Sequence, residues 1–317
     1  MQGSAPADTT SDTVQDMEPG ATLNEESGQQ RKHKPVSQLG LVWRRLRTKP
    51  NFWIGGTIVL LIVLFALFGN IPNVYSHTDQ DKFNFNSPPS AQHWFGTNSI
   101  GQDLYAQITQ ALRLSLLIGL IAAPLATILA AILGSLAGYL GGIVETVITW
   151  VTNLLLVLPI FYVLMIVSPV VGGSPYLLIV VLGLFSWMIM SLVVKNQTKS
   201  LKEREFVKAA RYMGVGTFTI LRRHIIPNVA SLLIIDMTIG VTGAILAETS
   251  LSFFGLGVQS PDISLGVLIQ DGQTAVLNRP WLFLFPAGFL ITLLTAIALM
   301  GDALRDAIDP TSEVNRA

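Results

Sequence analysis

Six runs of apolar residues alternate with polar segments along this 317-residue chain. They lie at about residues 52–68, within 114–138, and at about 147–167, 176–194, 228–247 and 281–300. Each is near the roughly 20 residues that carry a helix across a hydrocarbon core about 30 Å thick. The pattern therefore predicts an all-α, polytopic membrane fold with six transmembrane helices. Between the runs, residues 69–110 form a long polar loop with Pro72, Pro88 and Pro89. Tight turns are expected at 138–142 and at 168–175, which holds Gly172 and Gly173, and a loop at 249–279. Pro124 and Pro159 fall inside runs and predict kinks. Residues 1–36 are polar without apolar periodicity, so a disordered tail is expected there. They lack the short apolar core of a cleaved signal peptide.

The one long charged segment in mid-chain is 200–228, SLKEREFVKAARYMGVGTFTILRRHIIPN. It reads as helix, break, helix. Ser200 and Glu203 have capping-box spacing. Phe206, Ala209, Ala210 and Met213 recur at i, i+3, i+4 and i+7, one apolar stripe with a small-residue patch that another surface can approach closely. Gly214 and Gly216 stop the helix, Thr217 is placed to cap the next, and Pro227 to enter the following span at its first turn. By itself this pattern describes a short amphipathic helix at a membrane surface.

Composition sharpens the picture. Half the residues are hydrophobic, 13% are charged and none is Cys. That excludes a disulfide framework and thiolate metal or redox chemistry. Basic and acidic residues balance at 20 each, so no nucleic-acid footprint is present. No Lys follows a Gly as in a phosphate-binding loop. The four His, at 33, 77, 93 and 224, are too scattered in sequence for a clustered metal site. Of the 20 Lys and Arg, 17 lie in the N-terminal tail, segment 195–228 and the C-terminal tail. The opposite loops hold Lys82 and Arg279, with Arg113 at a span's edge. The positive-inside rule thus puts both termini and segment 200–228 in the cytoplasm, with Arg44, Arg45, Arg47 and Lys49 as juxtamembrane anchors.

Single residues stand out against this background. Asp236 lies nine residues past Pro227, roughly 13.5 Å along a helix and near mid-membrane. An acid there must face protein or water. It either packs against a neighbouring span or lines a translocation path. Glu248 falls at roughly 31 Å by the same measure, at the outer edge where water is expected to reach it. Asp302, Arg305, Asp306 and Asp309 read as a solvated helix end or as a packing surface in an assembly. Gly255 and Gly257 read as a turn or a close-packing site.

Segment 200–228 resembles the EAA loop of ABC-importer permeases, in which an acid-Ala-Ala triplet is followed by Gly and then by Leu-Pro thirteen residues past that Gly. Ala209, Ala210, Gly214 and Pro227 match; Lys208 stands at the acid position, His224 at a usual Ile and Ile226 at the Leu. Glu205 is the nearest acid. Three further runs resemble the oligopeptide/dipeptide/nickel group of this family, the binding-protein-dependent transport inner membrane components. Residues 93–104 resemble HxLGTDxxGRDxL, matching at Gly96, Thr97, Gly101 and Asp103, with Asn98 and Gln102 in place of Asp and Arg. Residues 248–259, ETSLSFFGLGVQ, and 301–310, GDALRDAIDP, resemble two more of its motifs. The long first loop resembles the C-type subunit. Trp150 and Asn153 depart from an Arg and Asp often found early in the third span.

The resemblance spans about residues 39–310 and implies a type I ABC-importer permease. It implies an N-terminal segment over 37–110, a transmembrane domain over 111–310 and a tail over 311–317. The implied coupling residues are Glu205, Ala209, Ala210, Gly214 and Pro227, with Asp236 a candidate for the path. The implied partners are a homologous permease, two cytoplasmic ABC ATPase domains, an extracytoplasmic substrate-binding protein and membrane lipid. ATP and Mg would sit on the ATPases, leaving this chain without cofactor or catalysis. The implied location is a prokaryotic cytoplasmic membrane, and the implied cargo di- or oligopeptides. Nickel-chelate or glutathione import is a second substrate reading. A secondary transporter driven by ions is the rival class; such carriers use several intramembrane acids, and only Asp236 lies well inside a span here. A scaffold that recruits an ATPase is a third.

Overall fold

A computed structural model of the chain describes residues 38–308, apart from 72 and 172. The expected tails at 1–36 and 311–317 lie outside the described residues. The helices are α1 (Gln38–Leu46), α2 (Pro50–Phe68), α3 (Leu104–Leu140), α4 (Gly142–Val157), α5 (Ile160–Val171), α6 (Pro175–Ser186) and α7 (Met188–Lys202). They continue as α8 (Glu205–Tyr212), α9 (Thr217–Ile220), a π turn (Leu221–Ile225), α10 (Ile226–Phe253), α11 (Leu265–Gln273) and α12 (Trp281–Ile308). No strand occurs among the described residues. Helices α2, α3, the run Thr217–Phe253 and α12 are each long and apolar enough to cross a membrane. The bent pairs α4–α5 and α6–α7 bring the total to six when each pair is one span. The protein is an all-α, multi-pass membrane protein.

Helix α3 lies at the centre and packs against α2, α4, α6, α7, α10 and α11. Of its 37 residues, 22 are buried, most of them Ala, Gly, Ser or Thr. In lipid, helices gain little from hiding apolar surface, so close van der Waals approach must hold them. The spacing supplies it. Ala126, Ala130, Gly134 and Gly138 recur every four residues, the first two buried with Met190 and Val194 of α7. A Cβ at Gly134 would sit 2.5 Å from the Ser191 carbonyl oxygen, and one at Gly138 2.5 Å from that of Lys195. A Cβ at Gly119 would meet the side chains of Val241 at 2.9 Å and Ile245 at 3.0 Å, both on α10. Leu60, Leu61, Leu64 and Leu67 of α2 stay exposed, an apolar face suited to acyl chains.

Helix boundaries depart from the sequence expectations at several points. The second span begins at Leu104 rather than near 114, because the Asp103 carboxylate accepts from the Ala106 N–H at 2.9 Å and caps the helix. The third breaks at Pro159 with an 86° bend, more than a kink. Leu158 takes an extended conformation, as a residue before Pro must. Pro124, by contrast, lies within a continuous α3. The fourth bends by 41° at Trp187, next to Ser186, whose hydroxyl donates to the Leu182 carbonyl at 2.7 Å. The 249–279 region holds the last turn of α10 and the whole of α11.

Two corrections concern charge. Glu248 is fully buried, not water-exposed. Its Oε1 accepts from Ser252 Oγ at 2.5 Å and Ser264 Oγ at 2.6 Å, which joins the end of α10 to the residue that caps α11. The end of α12 is not simply solvated. Lys49 pairs with Asp306 at 3.1 Å, Arg45 donates to the Ala307 carbonyl at 3.4 Å, and Ala303 and Ala307 are buried. Basic residues at a helix C-terminus also favour its dipole. Arg113 plays a like part for α2, donating to the Ala66 carbonyl and, at 2.9 Å, to that of Leu67. Gly257 is a close-packing site as expected, with Ser252 against its Cα.

Because Gly134 and Gly138 face backbone, even Ala should force α7 away from α3. We predict that Gly134→Ala or Gly138→Ala lowers stability in detergent by about 1–3 kcal/mol, the usual cost of overpacking. Gly56→Ala and Gly288→Ala, with nothing within 4 Å, should be neutral or slightly stabilising. Thermal unfolding of all four checks this; equal midpoints would refute it.

Candidate functional site

Segment 200–228 folds into a compact unit at the C-terminal end of α3. Helix α7 runs on through Ser200 to Lys202, so the Ser200–Glu203 pair is not a capping box. The break comes at Glu203–Arg204, and α8 starts at Glu205 without a side-chain cap. Thr217 likewise does not cap α9, whose cap position is Gly216. The end of α8 follows the sequence reading. The Val215 N–H donates to the Ala210 carbonyl at 3.1 Å and the Gly214 N–H to that of Arg211 at 3.0 Å, the Schellman arrangement. It needs a left-handed residue at Gly214, where φ is +77°.

Packing divides the expected apolar stripe. Val207 and Ala210 are 1% and 3% exposed, buried with Ile220, Leu221 and Ile225 and against Leu136, Tyr139, Leu201 and Val215. Ala209 points away and is exposed. The Ala pair is thus split: Ala210 holds α8 to its own bundle, and only Ala209 is open to another surface. Around Ala209, Phe206, Tyr212, Met213 and Phe218 are exposed, the last three by 88%, 76% and 75%. Lys208 pairs with Glu203 at 3.0 Å. This ion pair, with the charges of Lys202 and Arg211 nearby, holds the Glu203 carboxyl below the usual range. An acid from the preceding turn thus faces the Lys at the triplet's acid position. Glu205 is exposed in the first turn of α8, where a negative charge suits the helix dipole.

Pro227 sits in the first turn of α10, but the chain is already helical before it. Its missing N–H and its ring forbid a normal bond to the Arg223 carbonyl. The chain widens into the π turn instead, and the Ile226 N–H donates to Leu221 five residues back. Asn228 Nδ2 donates to the His224 carbonyl at 2.6 Å. The turn keeps Leu221 and Ile225 inward, under α8.

Asp236 lies in α10, half-buried, and accepts from Thr127 Oγ1 of α3 at 3.0 Å. It lies eight residues past the end of segment 200–228, further along the same helix. Its Oδ1 is neither bonded within the chain nor enclosed.

The first loop is the part that sequence reasoning left without a role. His93, 1% exposed, has one ring nitrogen 2.8 Å from Asp103 Oδ2 and the other 3.4 Å from Asp81 Oδ2, and its ring lies tilted against Tyr75, centroids 4.6 Å apart. Thr97 Oγ1 donates to the Asn84 carbonyl and accepts from the Ser87 N–H. Hydrogen bonds from Asn84 and the Phe83 N–H hold the Asp81 carboxyl low. At Gly101 a Cβ would meet the Asp81 carbonyl at 2.2 Å. The matched residues of the 93–104 run are therefore a clasp that fixes the loop to the start of α3. Their signal was the spacing itself.

Comparison with known proteins places these features. Residues 130–313 match the family described as binding-protein-dependent transport system inner membrane component. Residues 37–89 match the N-terminal TM domain of oligopeptide transport permease C. The chain is 46% identical over 261 residues to the oligopeptide transport system permease protein OppC of Mycobacterium tuberculosis, covering 82% of this chain and 89% of that one. It is 40% identical over 255 residues to OppC of Escherichia coli, covering 80% and 84%. Against the dipeptide transport system permease protein DppC of Bacillus subtilis the identity is 34% over 292 residues, covering 91% of each.

Space around Gly214 is open, so a substitution there acts only through φ. Gly214→Ala should cost about 1–2 kcal/mol and speed amide exchange at 213–215 roughly 5–30-fold. Gly216→Ala, at φ −63° and equally unobstructed, should leave it unchanged. Equal exchange in the two variants would count against the left-handed cap.

Proposed function

Since the chain belongs to the family of binding-protein-dependent transport system inner membrane components, we propose that it is a permease subunit of an ATP-driven peptide importer in a prokaryotic cytoplasmic membrane. The peptide cargo is drawn from relatives named as oligopeptide and dipeptide permeases. It pairs with a homologous permease, takes substrate from an extracytoplasmic binding protein and is driven by two cytoplasmic ATPase domains. ATP and Mg belong to those domains. The 1–36 tail, the 37–110 segment and the 111–310 transmembrane domain are the proposed divisions.

The observation that carries this reading is the two-sided α8. Its inner side is anchored by Val207 and Ala210, while an apolar surface of Phe206, Tyr212 and Met213 stands exposed around Ala209. An exposed apolar patch on a charged, polar segment supports a protein interface. We assign it to an ATPase groove, with Glu205 at its edge and Gly214 and Pro227 setting its shape. When the ATPases close, α8 moves and carries α10 with it through the π turn. The spans then alternate between outward- and inward-open forms. No chemistry occurs on this chain.

Asp236 is assigned to the path between the two permeases. Thr127 holds one oxygen, and the outward residues of the same helix, Ile239 and Gly243, are exposed. A carboxylate beside a water-filled path would attract substrate ammonium groups.

Two tests follow. Met213→Asp should insert normally yet weaken ATPase co-purification by about 2 kcal/mol, as for an interface hot spot. Ile71→Asp, equally exposed but at the far end of α2, should not. Unchanged capture by Met213→Asp would remove α8 as the docking element. Asp236→Asn should assemble and hydrolyse ATP while taking up cationic peptides more poorly than neutral ones. Uptake reduced equally for both, or for neither, would assign Asp236 to packing alone.

A further inference from the structure

A concave site lies at the end of the molecule opposite α8. A cleft of about 620 Å3 opens between the first loop and segment 260–282. It sits at the N-terminal end of α3, while α8 packs at the other. The 37 residues between make about 54 Å of helix. By the charge distribution this is the extracytoplasmic face.

The cleft wall offers hydrogen-bond acceptors that the chain does not use. Asn86 Oδ1 and Gln107 Oε1 are buried without a partner, and both residues line it. Gln107 is 3% exposed. Turning its amide over gives no relief. Its Nε2 donates to Gln102 Oε1 at 2.8 Å, which also accepts from Asn98 Nδ2 at 2.9 Å. A flip would set oxygen against oxygen and still leave one atom unpaired. Asp262 and Asp271 add two carboxylates, and Arg279 is the one cation among the lining residues. Partial desolvation pushes the carboxyl of Asp271, itself an exposed residue, up, a cost that an added cation would offset. No ion pair joins these three side chains to the described part of the chain.

A ligand that uses all these groups must bring N–H donors, a positive charge and a negative charge. A simple amine leaves Arg279 unused, and a simple anion meets two carboxylates. We propose that this cleft binds short zwitterionic peptides, with Asp262, Asp271 and the two amide oxygens taking the terminal ammonium and backbone N–H groups, and Arg279 the terminal carboxylate. The volume lies within the usual 300–1,000 Å3 of small-ligand sites. For its physiological ligand the inference rests on the peptide-import reading. The cleft would then be a receiving site on the permease itself, ahead of the path at Asp236.

The test uses the full-length chain in lipid nanodiscs without binding protein. Trialanine, N-acetyl-trialanine and trialanine amide are titrated by ligand-observed NMR. Trialanine should bind, and each blocked form should bind about tenfold more weakly or worse, the loss expected for a charged hydrogen bond. Asp271→Asn should weaken trialanine by about tenfold and N-acetyl-trialanine little. Arg279→Gln should weaken trialanine and leave the amide little changed. Equal binding of all three peptides overturns the proposal, because a docking loop of another protein carries neither free end. So does no binding at millimolar peptide, or unchanged affinity in both variants. Trialanine uptake by cells with and without the chain is measured in parallel. Uptake without cleft binding sinks the site and leaves the import reading standing; binding without uptake does the reverse.

Discussion

The closest approach of α3 to its neighbours is the constraint on which the fold depends. Carbonyl oxygens of Ser191 and Lys195 lie where the Cβ atoms of any other residue at 134 and 138 would be. In water such an interface would be reinforced by burial of large apolar side chains. In a membrane that reinforcement is weak, because lipid solvates Leu as well as protein does. Helix α3 therefore carries Ala, Gly, Ser and Thr inward and turns Leu120, Ile121, Ile128 and Ile132 outward. Six other helices take their position from it. The two ends of the molecule are accordingly coupled to one rigid element, with the loop clasp at Asp103 and the α8 unit against Leu136 and Tyr139.

Polar groups inside the bundle are arranged by the same logic. Each intramembrane donor or acceptor needs a partner, since lipid supplies none. Glu248 takes two serine hydroxyls on Oε1, while its buried Oε2 has no partner, and Asp236 takes one threonine hydroxyl. Arg113 finds backbone carbonyls at the end of α2. The three differ in how completely they are enclosed. Glu248 is sealed and joins α10 to α11, which suits a structural strut. Asp236 keeps an open oxygen, which suits contact with something that passes or docks.

The α8 unit shows how a short helix can be both held and presented. Eight residues are too few to be stable alone. Two side chains, Val207 and Ala210, and the Schellman turn at Gly214 attach it to a platform of Ile220, Leu221 and Ile225. That platform exists because Pro227 imposes the π turn before α10. The proline at the motif's end thus shapes the surface thirteen or more residues before it.

Much of this was legible in the sequence because it is local or one-dimensional. Apolar run length marked the spans, and Gly214 marked a left-handed helix end that only a residue without Cβ adopts freely. The family spacing of segment 200–228 and of residues 93–104 was likewise readable along the chain. What tertiary structure alone decided is which side of each element meets which neighbour. Periodicity put Phe206, Ala209, Ala210 and Met213 on one stripe, but the bundle lies on the side of Val207 and Ala210, so Ala209 and Ala210 part company. Ser200 had the spacing of a cap, but the packing of α7 along α3 carries that helix past it. Glu248 had the depth of a wet position, but α11 folds back over it and brings Ser264 into reach. The cleft has no signature in sequence, because Gln107 of α3 and Arg279 line one cavity only when the start of α3 and segment 260–282 come together. Local propensity and length act between neighbours in the chain; burial and pairing act between neighbours in space.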